Sequence, residues 1–186
     1  FPRTKNPTRL SKPVMSCRGL PLMLGHYLSY NDTITIVGKA MGDDQIQAAV
    51  TKYWDDQVMP ALCEYLKIPC LSPDFDRDWQ KHGHIQNAIE GFKNWVETQQ
   101  LEGTSIKLMQ LEGKTPLLFV DIAGEKSGNI LFYGHCDKQP EASGWDQNKG
   151  PWQPVIENNR LYGRGAADDG YAFFSAVSAI KTCQLL

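Results

Sequence analysis

The sequence has no apolar run approaching the roughly 20 residues that a bilayer-spanning helix needs. It has no CxxC pair. Cys17, Cys63, Cys70, Cys136 and Cys183 are odd in number and widely spaced, which argues against a disulfide framework. Reduced thiols point instead to a reducing compartment, and the expected location is cytoplasmic. Net charge is small, formally −2, so the overall balance gives no reason to expect nucleic acid or membrane as a partner. G-x-S-x-G elbows, Walker sequences, internal repeats and low-complexity tracts are all missing, and no Ser/His/Asp set stands out. What remains is a globular composition, 41% hydrophobic and 10% aromatic over 186 residues. That length serves one core, or one domain with an appendage.

Acids are nearly missing from residues 1–40, where Arg3, Lys5, Arg9, Lys12, Arg18 and Lys39 face Asp32 alone. A basic, acid-poor leader fits a mitochondrial-type transit segment. Its apolar piece, Leu20 to Leu24, is short and broken by Pro21, however, and no amphipathic face emerges. We read 1–40 as a basic extension, non-native or disordered, ahead of a start at Met41. The chain opens on Phe1 and stops at Leu185-Leu186 inside an apolar helical pattern, so both ends read as cut.

From Met41 the pattern becomes regular. Asp43 and Asp44 precede Ile46, Ala49, Val50 and Tyr53 at helical spacing, with the acids at the positive end of the helix dipole. Pro60 should kink or divide this helix. A second helix carries Ile85, Ala88, Ile89, Phe92, Trp95 and Val96 on one stripe. Strand-like runs follow at Ser105–Leu111, Pro116–Ile122 and Asn129–Tyr133, separated by glycine turns. Gln139 to Arg160 reads as a Gly/Pro/Trp-rich loop, with Trp145 and Trp152 pinning it to the core. A last helix starts near Asp168 with Ala172, Phe173, Ala176, Ile180 and Cys183 inward. This order predicts an α/β layer architecture with a largely buried sheet.

The chemistry concentrates at Gly134-His135-Cys136-Asp137 and Gly163-Arg164-Gly165-Ala166-Ala167-Asp168-Asp169-Gly170. The run Ile130-Leu131-Phe132-Tyr133 predicts a short buried strand. His135 and Asp137, two residues apart at its end, then project to one side, with Cys136 opposite as a small apolar group. An imidazole and hard carboxylates suit a divalent metal, and the carboxyl ends of strands are where α/β sheets bind ligands. Asp168 and Asp169 have a plainer reading as helix caps. His82 and His84 read as a solvated pair.

Taken together, Tyr133–Pro140, Gly144-Trp145, Gly150-Pro151-Trp152 and Leu161–Tyr171 closely resemble the M20 family of zinc metallopeptidases, as does Glu64–Pro69. The resemblance covers nearly all of 41–186 and none of 1–40. It implies the amino-terminal part of a catalytic domain with a three-layer plan, its mixed, mostly buried sheet flanked by helices and its lid domain absent. By the same resemblance His135 binds zinc, Asp168 bridges two zinc ions, Asp137 serves catalysis by orienting His135, and the Asp168–Asp169 peptide is cis. Manganese or cobalt are expected substitutes for zinc. The family has Lys after the Asp pair in many members; here Gly170-Tyr171 stands there. With Lys138-Gln139-Pro140 this points toward the dipeptidase-like branch.

The implied activity is hydrolysis of an amide bond in dipeptides or short peptides by metal-activated water. The implied partners are that substrate and a second copy of the chain, through the lid. The family's general-base glutamate and remaining ligands lie downstream of the helix that follows Asp168. Glu64, Glu141 and Glu157 are not at matching positions. The chain is therefore expected to be inactive alone, to hold metal weakly and to be poorly soluble. Two alternatives stand beside this: a non-catalytic binding module with an incomplete metal site, and an N-acyl-amino-acid deacylase.

Overall fold

The computed structural model describes residues 42–185 and, for its backbone pairing, the strand Val14–Ser16. Met41 and the remainder of the 1–40 extension lie outside the described residues.

Helix α1 (Asp43–Tyr53) begins where expected, with the Gln45 side chain accepting the Gly42 N–H and Asp43 and Asp44 in the first turn. Ile46, Ala49, Val50 and Tyr53 form its half-buried stripe. The chain then widens for one turn over Trp54–Val58, where the Met59 N–H reaches back to Trp54 C=O, before α2 (Met59–Leu66). Pro60 accounts for the break: it has no N–H for the carbonyl four residues earlier, and its ring crowds that carbonyl. A short α3 (Trp79–His82) leads into α4 (His84–Thr98), which buries Ile85, Ala88, Ile89, Phe92 and Val96 as the spacing predicts.

Strands β2 (Thr104–Met109) and β3 (Leu117–Ile122) pair antiparallel, Thr104 opposite Ile122. Their inward residues Ile106, Val120 and Ile122 pack on Val96, Leu101 and Val177. β4 (Val155–Glu157) and β5 (Arg160–Tyr162) form a second hairpin inside the stretch read as loop, and β1 (Val14–Ser16) pairs antiparallel with β5. The signal for this hairpin was Asn158-Asn159: both residues have positive φ, as a two-residue type I′ turn requires.

The final helix, α5 (Tyr171–Leu185), buries Phe174, Val177, Ser178 and Thr182, a stripe rotated from the expected one, and leaves Cys183 exposed. The helix is apolar or small on nearly every side, so periodicity alone could not select the face. The main core joins Val58 of the widened turn, α2 (Leu62, Tyr65, Leu66), α4 and α5. Phe92 sits between Tyr65 and Phe173, at centroid distances of 5.0 and 4.7 Å. Burial of each large apolar side chain contributes about 1.5–3 kcal/mol.

The mixture of helices and small sheets is that of a partial α/β domain, but two expectations need correction. Every strand pairing among the described residues is antiparallel; the single parallel contact is the isolated bridge Leu71–Lys138. Ile130–Tyr133 is not a buried strand: Ile130, Leu131 and Tyr133 are 83, 87 and 83% exposed. An apolar run becomes a buried strand only with strands along both edges, and none of the described strands lies beside this one. No described helix is long and apolar enough to cross a membrane.

Candidate metal centre

The three predicted site residues converge from two segments far apart in sequence. His135 and Asp137 come from the extended stretch after Gly134; Asp168 comes from the turn Ala166–Gly170 ahead of α5. The expected same-side placement holds. His135 Nδ1 lies 3.0 Å from the Asp137 carbonyl oxygen and 3.2 Å from Asp137 Oδ1. Both are acceptors, so a proton on Nδ1 has partners there. His135 Nε2 then faces Asp168 Oδ1 at 3.4 Å. The site is open, with the His135 side chain 37% and Asp168 61% exposed. The Asp168–Asp169 peptide is cis, as the resemblance implied.

Four residues support the site in ways the sequence did not signal. Asp169 Oδ2 accepts the His135 backbone N–H at 3.3 Å. Tyr65 donates its hydroxyl to the Cys136 carbonyl at 2.9 Å, and Cys70 Sγ donates to the same oxygen at 3.1 Å. Lys138 is buried, 1% exposed, and its ammonium lies 4.0 Å from the Tyr65 ring centroid. Burial lowers the Lys138 pKa to about 8 and pushes the Cys136 thiol up to about 12. No local signal marks Lys138, because lysine is among the residue types least often buried.

The remaining residues of interest fall elsewhere. His82 is not merely solvated: its Nδ1 lies 2.8 Å from Asp76 Oδ2, and that hydrogen bond holds the Asp76 carboxyl below its ordinary value. Glu64 pairs with Lys67, Glu141 accepts from Trp152 Nε1 and Glu157 pairs with Lys149, so each is engaged away from His135. Among the described residues no group of three or more His, Cys, Asp or Glu could hold a metal ion. The donors on hand are two, His135 Nε2 and Asp168.

The sequence profile of peptidase family M20/M25/M40 matches residues 131–185, the stretch that holds both site segments. Through this segment the chain belongs to the M20 peptidase family. Succinyl-diaminopimelate desuccinylase from Sulfurovum sp. (strain NBC37-1) is 33% identical over 127 residues, covering 68% of this chain. The same-named protein of Gluconobacter oxydans (strain 621H) is 42% identical over 67 residues, 35% of this chain. An uncharacterized metallohydrolase of Methanocaldococcus jannaschii is 24% identical over 126 residues, covering 63% of this chain and 30% of its own length. The M20 chain spans 30% of the length of the Sulfurovum relative and 17% of the Gluconobacter one.

Proposed function

We propose that His135 and Asp168 are metal ligands and that Asp137 holds the His135 ring for that purpose, in an M20 hydrolase that cleaves an amide bond. One observation carries the reading. His135 Nδ1 lies against Asp137 and Nε2 faces an Asp168 carboxylate oxygen 3.4 Å away. An unprotonated Nε2 and a carboxylate held face to face suit a cation between them. Zinc bonds of about 2.0–2.2 Å to N and O place two ligands of one tetrahedral ion roughly 3.4 Å apart, which fits the observed gap. Zinc is the ion proposed, two in the whole enzyme, with manganese or cobalt as substitutes. A divalent cation there supplies Lewis acidity and lowers the pKa of water. The chain's own part is to orient the donors: Asp137 fixes the tautomer, and Asp169 holds the His135 main chain.

For the substrate, similarity to the two succinyl-diaminopimelate desuccinylases favours an acylated amino acid. Dipeptide hydrolysis is the second reading, favoured by Lys138-Gln139-Pro140 and by Gly170-Tyr171 after the Asp pair. We also propose that Ile130–Tyr133, exposed and wholly apolar, is a strand of a larger three-layer sheet in the whole protein, which dimerises through a lid domain. The thiols of Cys70, Cys136 and Cys183 support a cytoplasmic location.

The test is zinc titration of the chain against a chromophoric chelator. Wild type should compete weakly, since a catalytic zinc usually has three protein ligands. His135→Ala and Asp168→Asn should each lower the affinity at least about tenfold. Unchanged competition in both variants would remove the metal reading. N-acyl amino acids and dipeptides offered to the full-length protein then separate the two substrate classes.

A further inference from the structure

Lys138 is fully buried, and among the described residues no carboxylate is hydrogen-bonded to it. Its Nζ donates instead to the backbone carbonyls of Tyr65, Leu66 and Ile68, at 2.9, 3.3 and 2.7 Å. These are carbonyls at and just past the C-terminal end of α2, where a helix runs out of internal donors. The backbone of Lys138 is fastened as well: its N–H donates to Cys70 C=O at 2.8 Å, and its C=O accepts from Ser72 N–H at 2.9 Å. On its other side the aliphatic stem lies against Gly165. A Cβ built there would stand 2.8 to 3.0 Å from Lys138 Cε, Cδ and Cγ, and Gly165 has φ +88°. The Gly165 carbonyl in turn accepts the Gly170 N–H at 3.1 Å, closing the turn that presents Asp168.

One side chain therefore touches both halves of the site. Lys138 lies three positions after His135, and Gly165 three positions before Asp168. We propose that Lys138 is a positioning residue: its stem, anchored by the three carbonyls and wedged against Gly165, sets the separation between His135 and Asp168. The consequence for metal binding rests on the reading of those two residues as ligands; the separation itself does not. A helix cap alone would need only the ammonium, whereas a spacer needs the stem and the missing Cβ at Gly165.

The experiment uses Lys138→Met, which keeps a stem without the charge, and Gly165→Ala, which pushes on the same contact from the other side. The long-range 1H–15N spectrum of the metal-free chain reads the His135 Nε2 environment directly. Both variants should move the His135 ring resonances while those of His82 stay in place, and in the double variant the shifts should not add. Zinc affinity should fall about tenfold or more in each. A folded variant with a wild-type His135 spectrum overturns the proposal, as does global unfolding of both variants, which would make Lys138 a stability anchor only. If wild type binds no zinc, the ligand reading fails, and the His135 resonances still decide the positioning role.

Discussion

Two apolar segments of this chain meet opposite fates. In α2, Leu62, Tyr65 and Leu66 are buried against α4 and α5, with Leu62 and Leu66 fully out of water. Just ahead of His135, Ile130, Leu131, Phe132 and Tyr133 are no less hydrophobic and stand in solvent. A helix satisfies its own backbone and needs only a partner surface, which α4 supplies from nearby in sequence. An extended strand must borrow hydrogen bonds from neighbours on each edge, and for a parallel sheet those neighbours arrive by long crossovers. Hydrophobicity states a demand for burial; which segment has it met depends on what else the fold brings alongside. The candidate site sits where the two regimes join, with His135 and Asp137 just past the exposed run and Lys138 locked into the buried side.

The contrast is open to direct attack. Leu62→Ala should cost about 2–5 kcal/mol in urea unfolding, because the site is fully enclosed, whereas Leu131→Ala should stay within about 0.5 kcal/mol. Equal losses would break the comparison outright. Next in size is the pH response of the buried side. Lys138 loses its proton near 8 when folded and at its ordinary 10.5 when unfolded. Below pH 8 both states are charged and the full cost of burying the ammonium is present. Between 8 and 10.5 an unfolded Lys138 holds its proton and a folded one does not, so the Lys138 contribution to stability should rise with pH, by at most about 3 kcal/mol. An opposing fall above 9 comes from Cys136, whose thiol stays protonated to about 12 when folded. Lys138→Met should flatten that rise, and a wild-type profile retained in the variant would assign it elsewhere.

Gly170→Ala tests the junction from the helix side. A Cβ there would lie 2.1 Å from Tyr65 Cε1, so a loss of about 1–3 kcal/mol is expected on thermal unfolding. An unchanged melting point would mean that Tyr65 can swing away from the Cys136 carbonyl. Smallest in free energy is Leu131→Glu, which should leave stability within about 0.5 kcal/mol yet reduce self-association in light scattering. Failure to do so would show that the run is not the sticky surface.

The helices were largely legible, because their signals are local: the Ile85–Val96 stripe, the acids at the start of α1 and the break at Pro60 all lie where periodicity and proline chemistry put them. α5 was legible as a helix but not as a face, since Ala172, Phe173, Ala176 and Ile180 compete evenly with Phe174 and Val177. The β4–β5 hairpin was hidden among glycines and prolines, although Asn158-Asn159 carried its turn. At the site, His135, Asp137 and Asp168 could be named from motif spacing. The supporting contacts of Asp169, Tyr65 and Lys138 could not be read there, because each spans 34 residues or more.

The sequence by itself determined the membership in M20, the residue types that can hold a cation, and the positions of helices whose hydrogen bonds close within one turn. Tertiary structure alone decided that His135 Nε2 looks at Asp168, that a lysine is buried on helix-end carbonyls between the two site segments, and that an apolar run stays in water. The reason is the same in all three cases. Short-range preferences are written in consecutive side chains, whereas distances between remote segments depend on how the whole backbone packs.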